Sequence, residues 1–251
     1  MSTEAGALAA TQQSRRWIDS TVIDIVVVIA TLAGANLVAT FAPTAVAIGA
    51  VPVGAALVLA YARVRGVRWS ELGFSRSHLS RGAKHGLVAG AITVTAVTAI
   101  ALLPMAQPAF LNERYGVNVG ATLLAVFVLI PLQTVIPEEI AFRGVLHAKM
   151  ARRFDVKWVT IGSSALFGVW HIATATGMSA GNVGFGRLVG TGLAGQLAGV
   201  AVALVATTTA GIIFSWLRQR GGSILAPIGL HWAINGAGAL AAVAVWHLTM
   251  S

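Results

Sequence analysis

The chain has 251 residues, 57% of them hydrophobic and only 10% charged, with a net charge of +9 and no cysteine. A mean hydropathy of +0.81 excludes a soluble globular domain and marks an integral membrane protein. The missing cysteines exclude disulfides, a thiolate nucleophile and a thiolate metal site, and the basic residues fall in short clusters between apolar runs, where they meet lipid headgroups rather than nucleic acid.

About 20 helical residues cross a bilayer. Ile25 to Ala62 is uncharged and, as one helix, would be roughly 57 Å long, so it folds back on itself, with Pro43 opening the second span. Arg15 and Arg16 before it and Ala45-Val46-Ala47 within it resemble a signal peptide and its cleavage site, but the run is too long for one and is expected to be retained. A third span covers Gly86 to about Leu103, closed by Pro104 and Pro108; a fourth covers about Gly120 to Ala148; a fifth, Trp158 to Thr174; a long sixth, Leu188 to Leu217; and a seventh, Ser223 to about Trp246. The expected fold is therefore an all-α polytopic bundle of about seven transmembrane helices, or eight if the sixth run is split. Apolar residues spread evenly along the chain give a single transmembrane domain over 1–251, with a motif-bearing core at about 120–247.

Lys and Arg sort by side in such a chain. Of the seventeen, fourteen fall before the first span (Arg15, Arg16) or between spans two and three, four and five, or six and seven; Arg114 and Arg187 fall on the other side and Arg143 inside a span. This places the amino terminus in the cytoplasm, and an amino-acid usage favouring Ala, Gly, Val and Arg over Lys and Ile suggests a bacterial inner membrane. The loop from Arg63 to Lys84, with His78 and His85, is expected to be polar and mainly topogenic, with a short interfacial helix at "WSELGF". Thr174 to Arg187 is expected to be a glycine-rich external turn. Asp24 and Asn36 suit hydrogen bonds between helices; His147 suits the membrane interface; and Gly82, Gly86 and Gly90 suit a packing stripe, as do the pairs Gly186 with Gly190 and Gly195 with Gly199.

"PEEIAFRG" places Glu138, Glu139 and Arg143 inside the fourth span, at an insertion cost approaching 10 kcal/mol if all three stay unpaired. Glu139 and Arg143 share a helix face and can pair; Glu138 lies about 100° away on the face of Phe142 and is left for chemistry. "FGVWH" puts Phe167 and His171 four apart, and "HWAIN" does the same for His231 and Asn235. Each motif alone is compatible with a structural polar staple. Together they offer a base, a metal ligand or proton shuttle, and oxyanion donors, which suits attack of an activated water on a carbonyl.

Glu-Glu-x-x-x-Arg, Phe-x-x-x-His and His-x-x-x-Asn, in that order on successive spans, resemble the CPBP family of intramembrane proteases, which contains the type II CAAX prenyl endopeptidases and bacterial abortive-infection membrane proteins. The resemblance covers about Leu123 to Gly236. It implies Glu138 as general base with His171 beside it, Glu139 and Arg143 as a supporting pair, His231 and Asn235 as oxyanion donors, and Phe142 and Phe167 as packing for the site. A Zn2+ ion held by Glu138, His171 and His231 is left open: the donors suit zinc, but His-Glu-x-x-His spacing is missing. The implied substrate is a membrane-associated or lipidated peptide or protein, cut within the bilayer near the cytoplasmic side, because Glu138 lies about 15 Å along its helix from the basic cluster at Lys149 to Lys157. A transporter or channel component built on the same charges, and a non-catalytic immunity or scaffold protein, are the competing readings.

Overall fold

The structure, a computed structural model, describes residues 2–111, 118–176 and 178–250; Arg114 lies outside them. Seven principal helices follow one another among the described residues: α1 (Ser2–Phe41), α2 (Thr44–Val64), α3 (Arg76–Ala101), α4 (Val119–Met150), α5 (Val156–Trp170), α6 (Leu193–Gly221) and α7 (Leu225–Met250). Six are long and apolar enough to cross a membrane. The exception is α5, with 15 residues, about 22 Å at the α-helical rise; its helical path breaks at His171 and resumes over Ile172–Ala175. The sixth run is one long helix from Leu193 onward, with Leu188 and Val189 ending a short separate helix at Gly190, so a single span is formed and Arg218 and Arg220 stay at the same end as the other basic clusters.

Pro43 caps the start of α2, where its missing N–H costs nothing, and the first two helices form the expected hairpin. Asp155 caps α5 by accepting a bond from the Trp158 N–H at 3.1 Å. At its other end α6 stops at Gly222, whose φ of +66° gives the left-handed turn that closes a helix.

The central helix is α4, which touches α1, α2, α5, α6 and α7. It is wound wider than an α-helix over 125–135 and 140–146. The Ile136 N–H donates to Pro131 O and the His147 N–H reaches Phe142 O, both five residues back. Pro131 and Pro137 lack the donors that a regular ladder would use. A helix with slightly more than four residues per turn stacks residues four apart almost directly above one another, which sets Arg143 over Glu139.

The glycine stripe on α3 is packed against α7 in parallel. An added Cβ at Gly82 would meet Ser223, at Gly86 the carbonyl oxygens of Leu225 (2.8 Å) and Ala226 (3.2 Å), and at Gly90 the Ala233 Cβ (3.3 Å). Gly86→Val is expected to push α3 away from the segment of α7 that carries His231, costing about 1–3 kcal/mol and lowering the melting temperature in detergent. An unchanged melting temperature would show that the helices can separate freely.

The basic end is a built structure as well as a topological signal. Val67 and Leu72, in the 65–75 connection, are fully buried in the apolar core with Val58, Val145, Leu146 and Leu217. Arg152 donates to Gly66 O and Glu71 Oε1, and Arg218 to Glu71 O, at 3.0–3.2 Å. "WSELGF" is a set of hydrogen-bonded turns in place of the expected interfacial helix: the chain is pulled inward at Leu72 and reverses at Gly73, with φ +89°. His78 and His85 belong to α3, which begins at Arg76, so they are helical where a loop was expected. Asp24 accepts from Tyr61 Oη (2.6 Å), Arg65 Nε (2.8 Å) and the fully buried Lys149 Nζ (2.8 Å), joining α1, α2 and α4.

Burial alone would raise the carboxyl of Glu71, but the Arg68 N–H and the Arg152 and Arg68 guanidinium groups hold it below the usual carboxylate range. Such a group stabilises the clamp fully above the unfolded carboxylate value of about 4.3 and loses that contribution as pH falls through its depressed folded value. Amide exchange over 66–74 is therefore expected to accelerate only below about pH 4, and Glu71→Gln is expected to remove that pH dependence. Exchange that already accelerates between pH 7 and pH 5 would contradict it.

Thr174 to Arg187 is also more ordered than the expected turn. Short helices at Met178–Gly181 and Val183–Val189 fold over the 107–110 segment, with Asn182 Nδ2 donating to Ala109 O at 2.7 Å and the Val183 N–H to Leu111 O.

Candidate active site

Four helices bring the motif residues to one depth. α4 contributes Glu138, Glu139 and Arg143, the end of α5 contributes Trp170 and His171, α7 contributes His231 and Asn235, and α6 contributes Phe214 from behind. The charges divide. Glu139 (0% exposed) accepts at Oε1 from Arg143 Nη1 at 3.2 Å and from His231 Nδ1 at 2.8 Å. Arg143 (1% exposed) sits among phenyl rings, its Cζ 4.1 Å from the centroid of Phe167 and 4.9 Å from that of Phe214. Those ring faces attract the guanidinium where its Nε and Nη2 have no hydrogen-bond partner.

Glu138 is held differently. Trp170 Nε1 donates to its Oε1 at 3.2 Å, and its Oε2 is buried without a partner. The Nε2 atoms of His171 and His231 face that oxygen from 3.9 and 4.0 Å. His171 Nδ1 lies 2.8 Å from Phe167 O. A carbonyl only accepts, so Nδ1 carries the proton and Nε2 turns a lone pair toward Glu138 in the neutral ring. The carboxylate of Glu139 imposes the same tautomer on His231. Its ring is stacked on Phe214 at 4.9 Å between centroids. Phe142 and Phe167 pack edge to face at 5.1 Å, and Phe167 continues against His171 at 4.5 Å.

One carboxylate oxygen and two imidazole nitrogens are zinc donors by type. A tetrahedral zinc site with bonds near 2.0–2.1 Å sets its ligands about 3.4 Å apart, closer than the 3.9 and 4.0 Å found here. Among the described residues, no three His, Asp or Glu side chains are close enough to hold a metal. A water about 2.8 Å from each partner bridges that separation with an angle of about 90° at its oxygen.

A cavity of about 830 Å³ leads to Glu138, and His171 and Asn235 line it. Glu139, Arg143 and His231 do not; they lie behind Glu138. Residues 120–237 match the type II CAAX prenyl endopeptidase Rce1-like family. This region of the chain belongs to that family. An Rce1-like protein is a CAAX-type membrane protease at the level of the family, and the multi-pass helical fold agrees with it. No curated protein and no solved structure matches the chain.

The candidate site also contains residues the motifs do not single out. Trp170 orients Glu138; its signal was its place beside His171 in "FGVWH". Gln133 and Thr134 line the cavity just before Glu138 on α4, legible only as two polar residues in an apolar run. Asn36 donates to Trp170 O at 2.6 Å, as expected of an inter-helix group, and lines the cavity as well. His147 is more enclosed than an interfacial residue, with Nδ1 buried.

One expectation is corrected. The cavity does not run from Glu138 toward the basic clusters. Its other walls are Thr40, Ala109, Phe110, Ala121, Thr174 and Asn182, all at the opposite end of the bundle. The basic half is closed because the apolar core and the 65–75 connection fill it.

Proposed function

We propose that the protein is an intramembrane endopeptidase in which Glu138 activates a water for attack on a peptide carbonyl. The observation that carries this reading is the unpartnered Oε2 of Glu138, facing two imidazole nitrogens at the bottom of a cavity. A water held between Glu138 and His171 gives its proton to the carboxylate as its oxygen bonds to the carbonyl carbon. The resulting oxyanion is stabilised by the side-chain amide of Asn235, one turn beyond His231 and on the cavity wall. Glu138 then passes the proton to the departing nitrogen as the C–N bond breaks, leaving a carboxylic acid, which keeps the second proton of the water until it ionises, and an amine.

Family precedent gives His231 an oxyanion role, but its position favours another. It is 4% exposed and hydrogen-bonded to Glu139, so it holds the water and Glu138 from behind while Glu139 and Arg143 fix its tautomer. The substrate is a membrane-associated or lipidated peptide. Convergence of the ionisable groups at one depth, with an apolar core beyond them, disfavours a transport pathway.

The purified protein, reconstituted with membrane-tethered peptides, is expected to cleave them equally well with and without a metal chelator. Activity lost to chelator and restored by zinc would replace the glutamate-and-water reading with a metal-dependent one. Solute or proton flux without cleavage would favour the transporter.

A further inference from the structure

We infer that the substrate reaches Glu138 from the extracytoplasmic face, as an uncharged extended segment of a translocated or outward-facing membrane-anchored peptide. This rests on the protease reading above but uses separate observations. The basic residues at the ends of α2, α4 and α6 and at the starts of α3 and α5 gather at one end of the bundle, and such an end faces the cytoplasm. The cavity runs the other way. From Glu138 it passes Gln133 and Thr134 and reaches Thr40, Ala109, Ala121 and Thr174, all four exposed at the opposite end.

The cytoplasmic route is blocked by more than distance. Phe142, Val145 and Leu146 of α4, Phe214 and Leu217 of α6 and Leu72 of the 65–75 connection are all buried in one apolar cluster beyond the site. Arg152 and Arg218 hold that connection in place. A peptide arriving from the cytoplasm would have to displace the best-packed part of the molecule. From the other side it meets a preformed cavity.

The lining also describes the segment. Among the described residues, apart from Glu138 and His171 it has no ionisable side chain; its polar groups there are the amides of Asn36, Gln133, Asn182 and Asn235, the hydroxyls of Thr40, Thr134 and Thr174 and the indole N–H of Trp170. Amides and hydroxyls can bond a peptide backbone, whereas apart from Glu138 none of the described wall residues would pair with a charged side chain at this depth. A Lys or Glu beside the scissile bond is expected to lower kcat/KM by roughly tenfold or more, from the cost of placing an unpaired charge at this depth.

The chain has no cysteine, so single cysteines report access without background. Thr174→Cys at the rim, Gln133→Cys in the cavity and Ser80→Cys at the basic end would be treated in intact cells with a membrane-impermeant maleimide, with Thr40→Cys and Thr134→Cys replacing any variant that fails to accumulate. The rim and cavity cysteines are expected to react in sealed cells, and Ser80→Cys only after permeabilisation. Labelling of Ser80→Cys in sealed cells, or of Gln133→Cys only after permeabilisation or not at all, would overturn the inference. Labelling does not require turnover, so the test stands apart from the protease assignment. In oriented proteoliposomes, cleavage confined to peptide on the Ser80 side overturns the access route. Absence of cleavage on both sides counts against the protease reading alone, leaving the labelling pattern to decide access.

Discussion

Glu138→Gln is expected to lower peptide cleavage by about 10²–10⁴-fold, the range for loss of a positioned general base, while expression, insertion and melting temperature stay within error of the parent. The substitution keeps the size of the side chain and leaves an oxygen to accept from Trp170 Nε1. What it removes is the basic oxygen facing His171 and His231. The same structure predicts a graded series. Asn235→Ala should lower kcat with little change in KM, because an oxyanion donor acts mainly in the transition state. Trp170→Phe should leave packing against Phe142 largely intact but free Glu138 to rotate, giving an intermediate loss. Full activity in Glu138→Gln would remove the residue from the chemistry and leave the three charges as a structural staple.

That staple reading was fair from the sequence, and in the structure it describes Glu139 and Arg143, which pair, better than Glu138, which faces the cavity. The i, i+4 spacing made the Glu139–Arg143 pair legible, as it made Glu138 the odd charge out. The spacing could not show that α4 widens around Pro131 and Pro137, because a proline predicts a disturbed ladder without saying how the chain repairs it. The span pattern was legible because lipid imposes a length and charge ruler on the whole chain: Pro43, the single span of α6 and the alternation of basic clusters all followed from it. Local surroundings were not, since they depend on contacts between distant segments. His78 and His85 looked like loop residues because they are polar, yet α3 extends beyond the apolar run to carry them. Thr174 to Arg187 looked like a turn because it is glycine-rich. At Gly184 and Gly186, however, a Cβ would meet the backbone of Pro108 and of Ser179, so glycine permits close packing there. The direction of the cavity was misread for a related reason. Distance along one helix locates a residue between two membrane faces, but which face it reaches depends on where Leu72, Leu146 and Leu217 pack.

Arg143→Met is expected to destabilise the protein by about 3–5 kcal/mol, the cost of leaving one member of a buried ion pair uncompensated. Both partners are almost completely buried, at 1% and 0% exposure. Glu139 would then have only His231 Nδ1 at its Oε1, with Oε2 already unpartnered. Adding Glu139→Gln to Arg143→Met is expected to recover most of the loss, because it removes the stranded charge and leaves an amide oxygen for His231. Thermal melting in detergent of the two single variants and the double variant separates these contributions. Cleavage by the double variant then decides what the pair does for chemistry. If Glu139 and Arg143 act through His231, the stable double variant should show a reduced kcat with nearly unchanged KM, since a neutral amide fixes the His231 tautomer and ring position less firmly than a carboxylate does. If the pair only makes α4 tolerable in the bilayer, the double variant should cleave at the parental rate, and Glu138, His171 and Asn235 would carry the reaction without support from the charges behind them.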